Sequence, residues 1–402
     1  MNQMNWHSLD GIANEVVSPF FVLDETCLIN NYKTLLGAFK KHYSNTSIAY
    51  ACKANNCLSV LKAFSKAGAL IEASSSLEYQ GIIDLEHAPE QIIFNGPLKT
   101  ENDWLLIQKN NSLANIDSID EMKQLHRIAS LHPNKEFEVG LRLRLPNSRF
   151  GISADIETLN WFKNSLVNYP NIHYVSLHGH ANCKNESLAH FVSLTELLLN
   201  TAEEYFPNMI QSINLGGGIL HPDLPISWVK TPIPSWDDYA FHIANTIKKN
   251  RWAIDTKPDL YLEPGAGLVA NAFQMVTKVI RVEESNHSCM VTTDASVLQV
   301  KPTKHQFNMP FVLIKAQQEI QYNSGHFTVY GPTCWEEDIL LRDVKGEIPK
   351  KGDYLIINHC GAYSISLMPH FITPAPAIIT IKNNAFHAVH PRQFKLHPTS
   401  HL

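Results

Sequence analysis

The stretch IAYACKANN, residues 48–56, decides how the rest of the chain is read. Ile48 and Tyr50 favour a strand and flank the small Ala49, and Lys53 follows where the run gives way to polar residues. A lysine is ordinarily a solvated ion, so its place at the end of a buried-looking strand needs a reason. At the inner end of a barrel strand it would be partly desolvated, which lowers its pKa and suits the amine to Schiff-base chemistry. Working outward, short apolar runs alternate with longer amphipathic stretches: IAYACK, LIEASS, IIFNGP, LANIDS, EVGLRLRL, YVSLHGHA, SINLGGG and LYLEPG. Between them LSVLKAFSKAG, IDEMKQLHRIAS and HFVSLTELLLNTAEEYF place apolar residues at helical spacing. Such alternation over about 250 residues predicts a (β/α)8 barrel, and in barrels of this kind the C-terminal rim of the strands carries the chemistry.

The barrel is expected over residues 20–272. Beyond it FQMVTKVIRVEES, SCMVTTDASV, FTVYGPTC and DYLIINHCGAYSIS are strand-like runs parted by proline, glycine and asparagine. They predict a β-rich, β-barrel-like second domain over 273–402, with residues 1–19 expected to contribute and SPFFVLD a candidate strand of it. The proline-rich LHPDLPISWVKTPIPSW, residues 220–236, is expected to be a loop over the barrel mouth.

Composition bounds the function. A net charge of −5 without any basic block argues against a nucleic-acid partner. No apolar segment approaches the roughly 20 residues of a membrane-spanning helix, and the polar N-terminus does not resemble a signal peptide. The seven cysteines are scattered with no CxxC pair, which suits free thiols in a reducing cytoplasm, the expected location.

Two further strand ends strengthen the case for Lys53. NLGGGI, residues 214–219, carries three glycines where bare N–H groups can approach a phosphate, more than a plain strand-to-helix turn requires. LEPGAG puts Glu263 at the end of another run, where a carboxylate can hold a pyridine nitrogen protonated or simply join a rim salt bridge. A lysine, a phosphate cradle and a carboxylate on one rim are the parts for pyridoxal 5′-phosphate. His178 and His180 are spaced as two metal ligands, but with no third ligand at a convincing spacing no metal is expected, and both are read as cofactor-facing groups.

The chain resembles the alanine-racemase-fold (fold type III) pyridoxal-phosphate decarboxylases, which include diaminopimelate, ornithine and carboxynorspermidine decarboxylases. The resemblance spans nearly the whole chain, with the motifs in family order. It implies that Lys53 of YACKANN is the cofactor lysine, that His180 of HGHANC stacks on the pyridine ring, and that Gly216, Gly217 and Gly218 bind the phosphate. It further implies that Glu263 of EPG pairs with the ring nitrogen and that Tyr363 of GAYS touches the cofactor. Cys334 of GPTC would enter the active site of the other protomer of a homodimer and help protonate the product, while RFGI and the Arg142 strand also fit. Three departures stand out. Ala266 replaces the arginine usual after EPG, Asn182 and Cys183 replace small residues, and Trp335 follows the cysteine where relatives commonly place an acid.

The departures bear on the substrate. Ornithine enzymes of the family meet the distal ammonium with acids, yet Ala295 to Gln318 contains no Asp or Glu and does contain Lys301, Lys304 and His305. KP at 301–302 lies close to the arginine–proline pair that binds the distal carboxylate in diaminopimelate decarboxylases. The expected reaction is α-decarboxylation of a diamino acid with a distal carboxylate, diaminopimelate or a citryl-substituted diamino acid of siderophore assembly. Ornithine, lysine and carboxynorspermidine remain alternatives, with Glu336 and Asp338 as candidate ligands for a distal amine. A non-catalytic regulator derived from a decarboxylase is the alternative of another class.

Overall fold

The computed structural model describes residues 5–180, 188–224, 232–284, 289–316, 321–382 and 385–392. Asn182, Cys183 and Trp228 lie outside them, as do residues 225–231 of the proline-rich loop. The chain divides into two compact units, Ile29–Leu268 and a second made of Met1–Leu28 with Val269–Leu402.

The first strand, β1 (Phe20–Leu23), lies in SPFFVLD and, as expected of that stretch, pairs within the second unit although it falls inside the 20–272 span. It hydrogen-bonds antiparallel to β10 (Phe273–Glu284) and parallel to β16 (Ala377–Lys382). All four of its residues are buried, as a strand paired on both sides and covered on both faces requires, which explains why FFVL lacks alternation. Ahead of it the helix Trp6–Val16 sets Leu9 and Ile12 against Phe20, Val22, Val276, Tyr354 and Ile379, the core of this unit.

The barrel follows: β2 (Thr46–Ala51), β3 (Leu70–Ala73), β4 (Ile92–Phe94), β5 (Leu113–Ile116), β6 (Phe137–Arg142), β7 (Ile172–Gly179), β8 (Ser212–Leu215) and β9 (Asp259–Leu262). These pair in parallel, in chain order, and close with β9 on β2, giving the (β/α)8 barrel. Each of the eight apolar runs supplies one strand. The connecting helices begin with deliberate caps: Thr100 with Asp103 and Ser235 with Asp238 form reciprocal capping boxes, while Ser75 and Ser118 accept from the third residue of their helices.

The second unit holds β11 (Cys289–Thr293), β12 (Phe311–Ile314), β13 (Ser324–Tyr330), β14 (Ile339–Glu347), β15 (Tyr354–Ile357) and β17 (Ala385–His390) besides β1, β10 and β16. They form one mixed sheet in the order β14-β13-β11-β10-β1-β16-β17, with β15 pairing β10 and β12. No helix among the described residues is long and apolar enough to cross a membrane, and the six described cysteines are free.

Candidate active site

Lys53 sits in a single 3-10 turn, Cys52–Ala54, directly after β2. Its Nζ donates to Glu72 Oε2 at 2.5 Å and to Ser74 Oγ at 3.2 Å, and Ser74 Oγ donates to Glu72 Oε1 at 2.8 Å. Glu72 is fully buried on β3, so the ammonium, itself half-buried, is the charge that balances it. Glu78 reaches back from the next helix to the Ser74 N–H at 2.7 Å, and burial pushes its carboxyl above the usual range.

Glu263, at the end of β9, is the centre of a second cluster inside the barrel. Its Oε1 accepts from Asn95 Nδ2 at 2.7 Å and from Asn214 Nδ2 at 2.6 Å, and its Oε2 faces His178 Nε2 at 3.2 Å. Asn115 Nδ2 in turn holds Asn95 Oδ1 at 2.6 Å. Burial favours the neutral acid, but the charge and hydrogen bond of His178, with Lys53 and Asn95, outweigh it and keep the Glu263 carboxyl well below its ordinary range. Glu263 also proves to be the third group that the His178–His180 spacing lacked, since ligand atoms of all three lie within 4.8 Å of one another. As a cation site the set is compromised, because both oxygens of Glu263 and Nε2 of His178 are already engaged with protein partners.

His180 and the glycine turn pack as one piece. A Cβ on Gly216 would stand 2.5 Å from His180 Nδ1 and 2.8 Å from its Cα, and one on Gly217 would lie 3.2 Å from the Glu263 carbonyl. Gly218 adopts φ 112°, open to glycine and strained for other residues. So the three glycines answer to three separate constraints. Burial, and then the positive charges of Lys53, His178 and Arg142, lower the His180 pKa to about 3, so its ring is a neutral face at physiological pH. Ala266, half-buried, follows with only a methyl group.

These residues fit a pyridoxal phosphate. Lys53 supplies the amine, Gly216 and Gly217 bring bare backbone up against His180 and the Glu263 carbonyl where a Cβ would not fit, and ionised Glu263 accepts three hydrogen bonds where a carboxylate has about four acceptor positions. Asn95, Asn115, Asn214 and Glu72 escaped the sequence reading. The signal was present as a polar residue set directly among apolar ones in each of the runs IIFNGP, LANIDS, SINLGGG and LIEASS.

Lys301, Cys334, Glu336, Asp338 and Tyr363 all belong to the second unit. Cys334 and Glu336 are exposed and line an open groove of about 680 Å³ with Trp335, Arg281 and Met290. Tyr363 is half-buried with its backbone at φ 59°. Lys301 is 3% exposed and follows the short helix Val297–Val300, its Nζ donating to the Phe307 carbonyl at 3.1 Å. Among the described residues no carboxylate pairs with it, and burial, with Arg342 adding to it, lowers its pKa to about 8. Lys304 Nζ lies over the Trp335 ring, 4.3 Å from its centroid.

Asp338 is a correction. Considered as a ligand for a substrate amine, it is 2% exposed and its carboxylate is already filled. Oδ1 accepts from Ser296 Oγ at 3.0 Å and Val297 N at 2.7 Å, while Oδ2 accepts from Thr333 N at 3.1 Å and Thr333 Oγ1 at 2.6 Å. No acceptor position is left for a substrate.

Comparison with known proteins bears on the barrel and on the whole chain. Residues 30–270 match the family described as pyridoxal-dependent decarboxylase, pyridoxal binding domain. The diaminopimelate decarboxylase of Methanocaldococcus jannaschii is 28% identical over 386 residues, covering 90% of this chain and 85% of that protein. Among solved structures, a diaminopimelate decarboxylase of M. jannaschii superposes with a TM-score of 0.84 at 24% identity, covering 96% of this chain and 92% of that one. The lysine/ornithine decarboxylase of Vibrio vulnificus, complexed with putrescine, gives 0.78 at 17% identity, covering 94% and 98%. At these identities the structural likeness establishes the fold.

Proposed function

The chain belongs to the pyridoxal-dependent decarboxylases, and on that footing we propose that it removes the α-carboxylate of a diamino acid bearing a distal carboxylate, with diaminopimelate as the first substrate to test. The observation that carries the choice of substrate is Lys301: a buried ammonium with a carbonyl for a partner and, among the described residues, no counter-charge. A buried, unpaired ion costs several kcal/mol on the usual order of such penalties, and a substrate carboxylate would relieve it. A free diamine would instead bring a second positive charge beside it. A citryl-substituted diamino acid satisfies the same sign rule, and the 680 Å³ groove beside Cys334 has room for a larger group.

Bound pyridoxal phosphate supplies the electron sink for the carbanion left when carbon dioxide departs. The chain's own residues do the rest. Lys53 would offer the amine that anchors the cofactor aldehyde, and Glu72 and Ser74 fix where its Nζ sits. The Gly216 N–H is given to the Gly179 carbonyl, so the N–H groups of Gly217 and Gly218 would be the ones to hold the phosphate, and the neutral ring of His180 offers a flat, uncharged face. Glu263, oriented by Asn95, Asn214 and His178, takes the ring N–H and keeps that proton in place. Cys334 Sγ returns a proton to Cα, and Tyr363 adds a cofactor contact.

The assembly we assign is a homodimer with shared sites. Leu58, Leu77, Leu98, Ile119 and Ile156 follow five successive barrel strands at the C-terminal rim, with exposures from 38% to 84%. An apolar arc of that kind around a candidate active site suits a second copy that covers it and delivers Cys334. Scattered free thiols suit a cytoplasmic enzyme.

The test is carbon dioxide release by the purified protein with pyridoxal phosphate, on meso-diaminopimelate, ornithine, lysine and a citryl-diamino acid conjugate. Turnover of the carboxylated substrates at least about tenfold above the free diamines supports the reading. Preference for ornithine overturns the substrate assignment. A protein that binds no cofactor and releases no carbon dioxide would be a regulator rather than an enzyme.

A further inference from the structure

Asp338 joins two segments that the proposed reaction uses separately. On one side is the turn that carries Cys334, closed by Gly331 N–H to the Asp338 carbonyl at 2.7 Å and by Asp338 N–H to the Trp335 carbonyl at 2.9 Å. Thr333, one residue before the thiol, gives both its N–H and its hydroxyl to Oδ2. The turn also needs glycine at 331, where any Cβ would collide with the Asp338 carboxylate.

On the other side is the helix Val297–Val300, whose first N–H and capping Ser296 hydroxyl both reach Oδ1. Lys301 follows at once, its N–H returning to the Val297 carbonyl at 2.8 Å. The far end of this helix is fixed as well, because Ser364 Oγ donates to the Val300 carbonyl at 2.7 Å, next to Tyr363. The path from thiol to ammonium therefore runs Cys334, Thr333, Asp338, Val297, Lys301. Its only non-covalent step is a buried carboxylate holding one segment with each oxygen.

We propose that Asp338 is a positioning residue that sets the Cys334 thiol with one oxygen and the Lys301 ammonium with the other, so that proton return to Cα and capture of the distal carboxylate, in the shared sites of the homodimer, depend on one side chain. This rests on the functional reading above for the roles of Cys334 and Lys301. The two oxygens have different duties. Oδ2 sets the thiol and thereby the rate of the chemical step. Oδ1 sets the ammonium and thereby the affinity for a carboxylated substrate.

That division is measurable in steady-state kinetics of the full-length holoenzyme with meso-diaminopimelate. Thr333→Val removes one bond to Oδ2, and kcat should fall about tenfold while KM stays within about twofold, the order expected for a slightly misplaced catalytic group. Ser296→Ala removes one bond to Oδ1, and KM should rise about three- to tenfold with kcat nearly unchanged. Asp338→Asn, which offers one oxygen where two are needed, should change both constants. A purely structural Asp338 would lower the melting temperature without dividing the constants in this way. If Thr333→Val and Ser296→Ala alter the same constant, or neither constant, the positioning role is overturned even where Asp338→Asn fails to fold. Cys334→Ala and Lys301→Met are the reference variants. If Cys334→Ala keeps full kcat or Lys301→Met keeps its KM, the underlying functional reading has failed and this inference falls with it. If both references are impaired and the Thr333 and Ser296 variants are not, only the joint is wrong.

Discussion

Titrating Lys301 asks directly whether it receives a substrate carboxylate. Burial, with the Arg342 charge behind it, brings its ammonium from the ordinary lysine value of 10.5 down to about 8. At that value about nine-tenths of the side chain is charged near pH 7 and about one-tenth near pH 9. If only the charged form binds the distal carboxylate, KM for diaminopimelate should climb about tenfold across that window. A bound carboxylate favours the charged form, so the profile of kcat should break at higher pH than that of kcat/KM. Unfolding is not the cause of such a loss. The unfolded lysine holds its proton more tightly than the folded one, so between pH 8 and 10.5 this group makes the fold more stable as pH rises. The assay is initial-rate carbon dioxide release from about pH 6.5 to about pH 9.5 in the wild type, Lys301→Arg and Lys301→Met, over a range conventional for groups of this pKa. The arginine stays charged throughout and should flatten the profile, whereas Met should give a high KM at every pH. A wild-type KM that is flat from pH 7 to pH 9, or the same rise in Lys301→Arg, would refute the assignment.

Four other outcomes are expected. Lys53→Ala should lose the visible-range absorbance of bound cofactor after dialysis and about a thousandfold or more of the turnover, since anchor and amine go together. Mixing inactive Lys53→Ala and Cys334→Ala chains should restore activity as mixed dimers form, and no recovery despite demonstrated subunit exchange would place Cys334 outside the partner's site. Gly216→Ala should weaken cofactor binding at least about tenfold, read by fluorescence titration, because its methyl would meet His180 at 2.5 Å. Leu77→Glu combined with Leu98→Glu should shift the assembly toward monomers in sedimentation velocity while leaving the circular-dichroism spectrum unchanged, since both side chains are largely exposed within the chain.

The barrel was legible because each strand is a continuous apolar run ending in a polar or glycine residue, a pattern that forces parallel strands buried on both faces. The second unit was only half legible. Its β12, β14, β16 and β17 are short or partly exposed strands such as ILLRDVKGE, whose alternation is weak beside the runs first singled out. Strand β1 was seen as a strand, but its neighbours are about 250 and 350 residues away, and no local pattern names such partners. The site follows the same division. Lys53, His180, Gly216–Gly218 and Glu263 lie in recognisable strings. Asn95, Asn214 and Glu72 are ordinary letters until the closed barrel turns them inward. Asp338 looked like a free carboxylate because its four donors come from segments up to 42 residues distant, and only the folded turn shows them occupied.

The threading of β1 also sets an order of events during synthesis. Residues 20–23 leave the ribosome about 350 residues ahead of the strand beside them on one edge, Ala377–Lys382. Once β10 is made one edge of FFVL can pair, but until Ala377–Lys382 emerges the other edge leaves its N–H and C=O groups available to a foreign chain. The intervening barrel can close by itself as it emerges, so the nascent polypeptide passes through a stage with one finished module and one unmated sticky end. A chain stalled or clipped before about residue 377 is left at that stage, and its natural fate is to seek another copy's sheet or a chaperone.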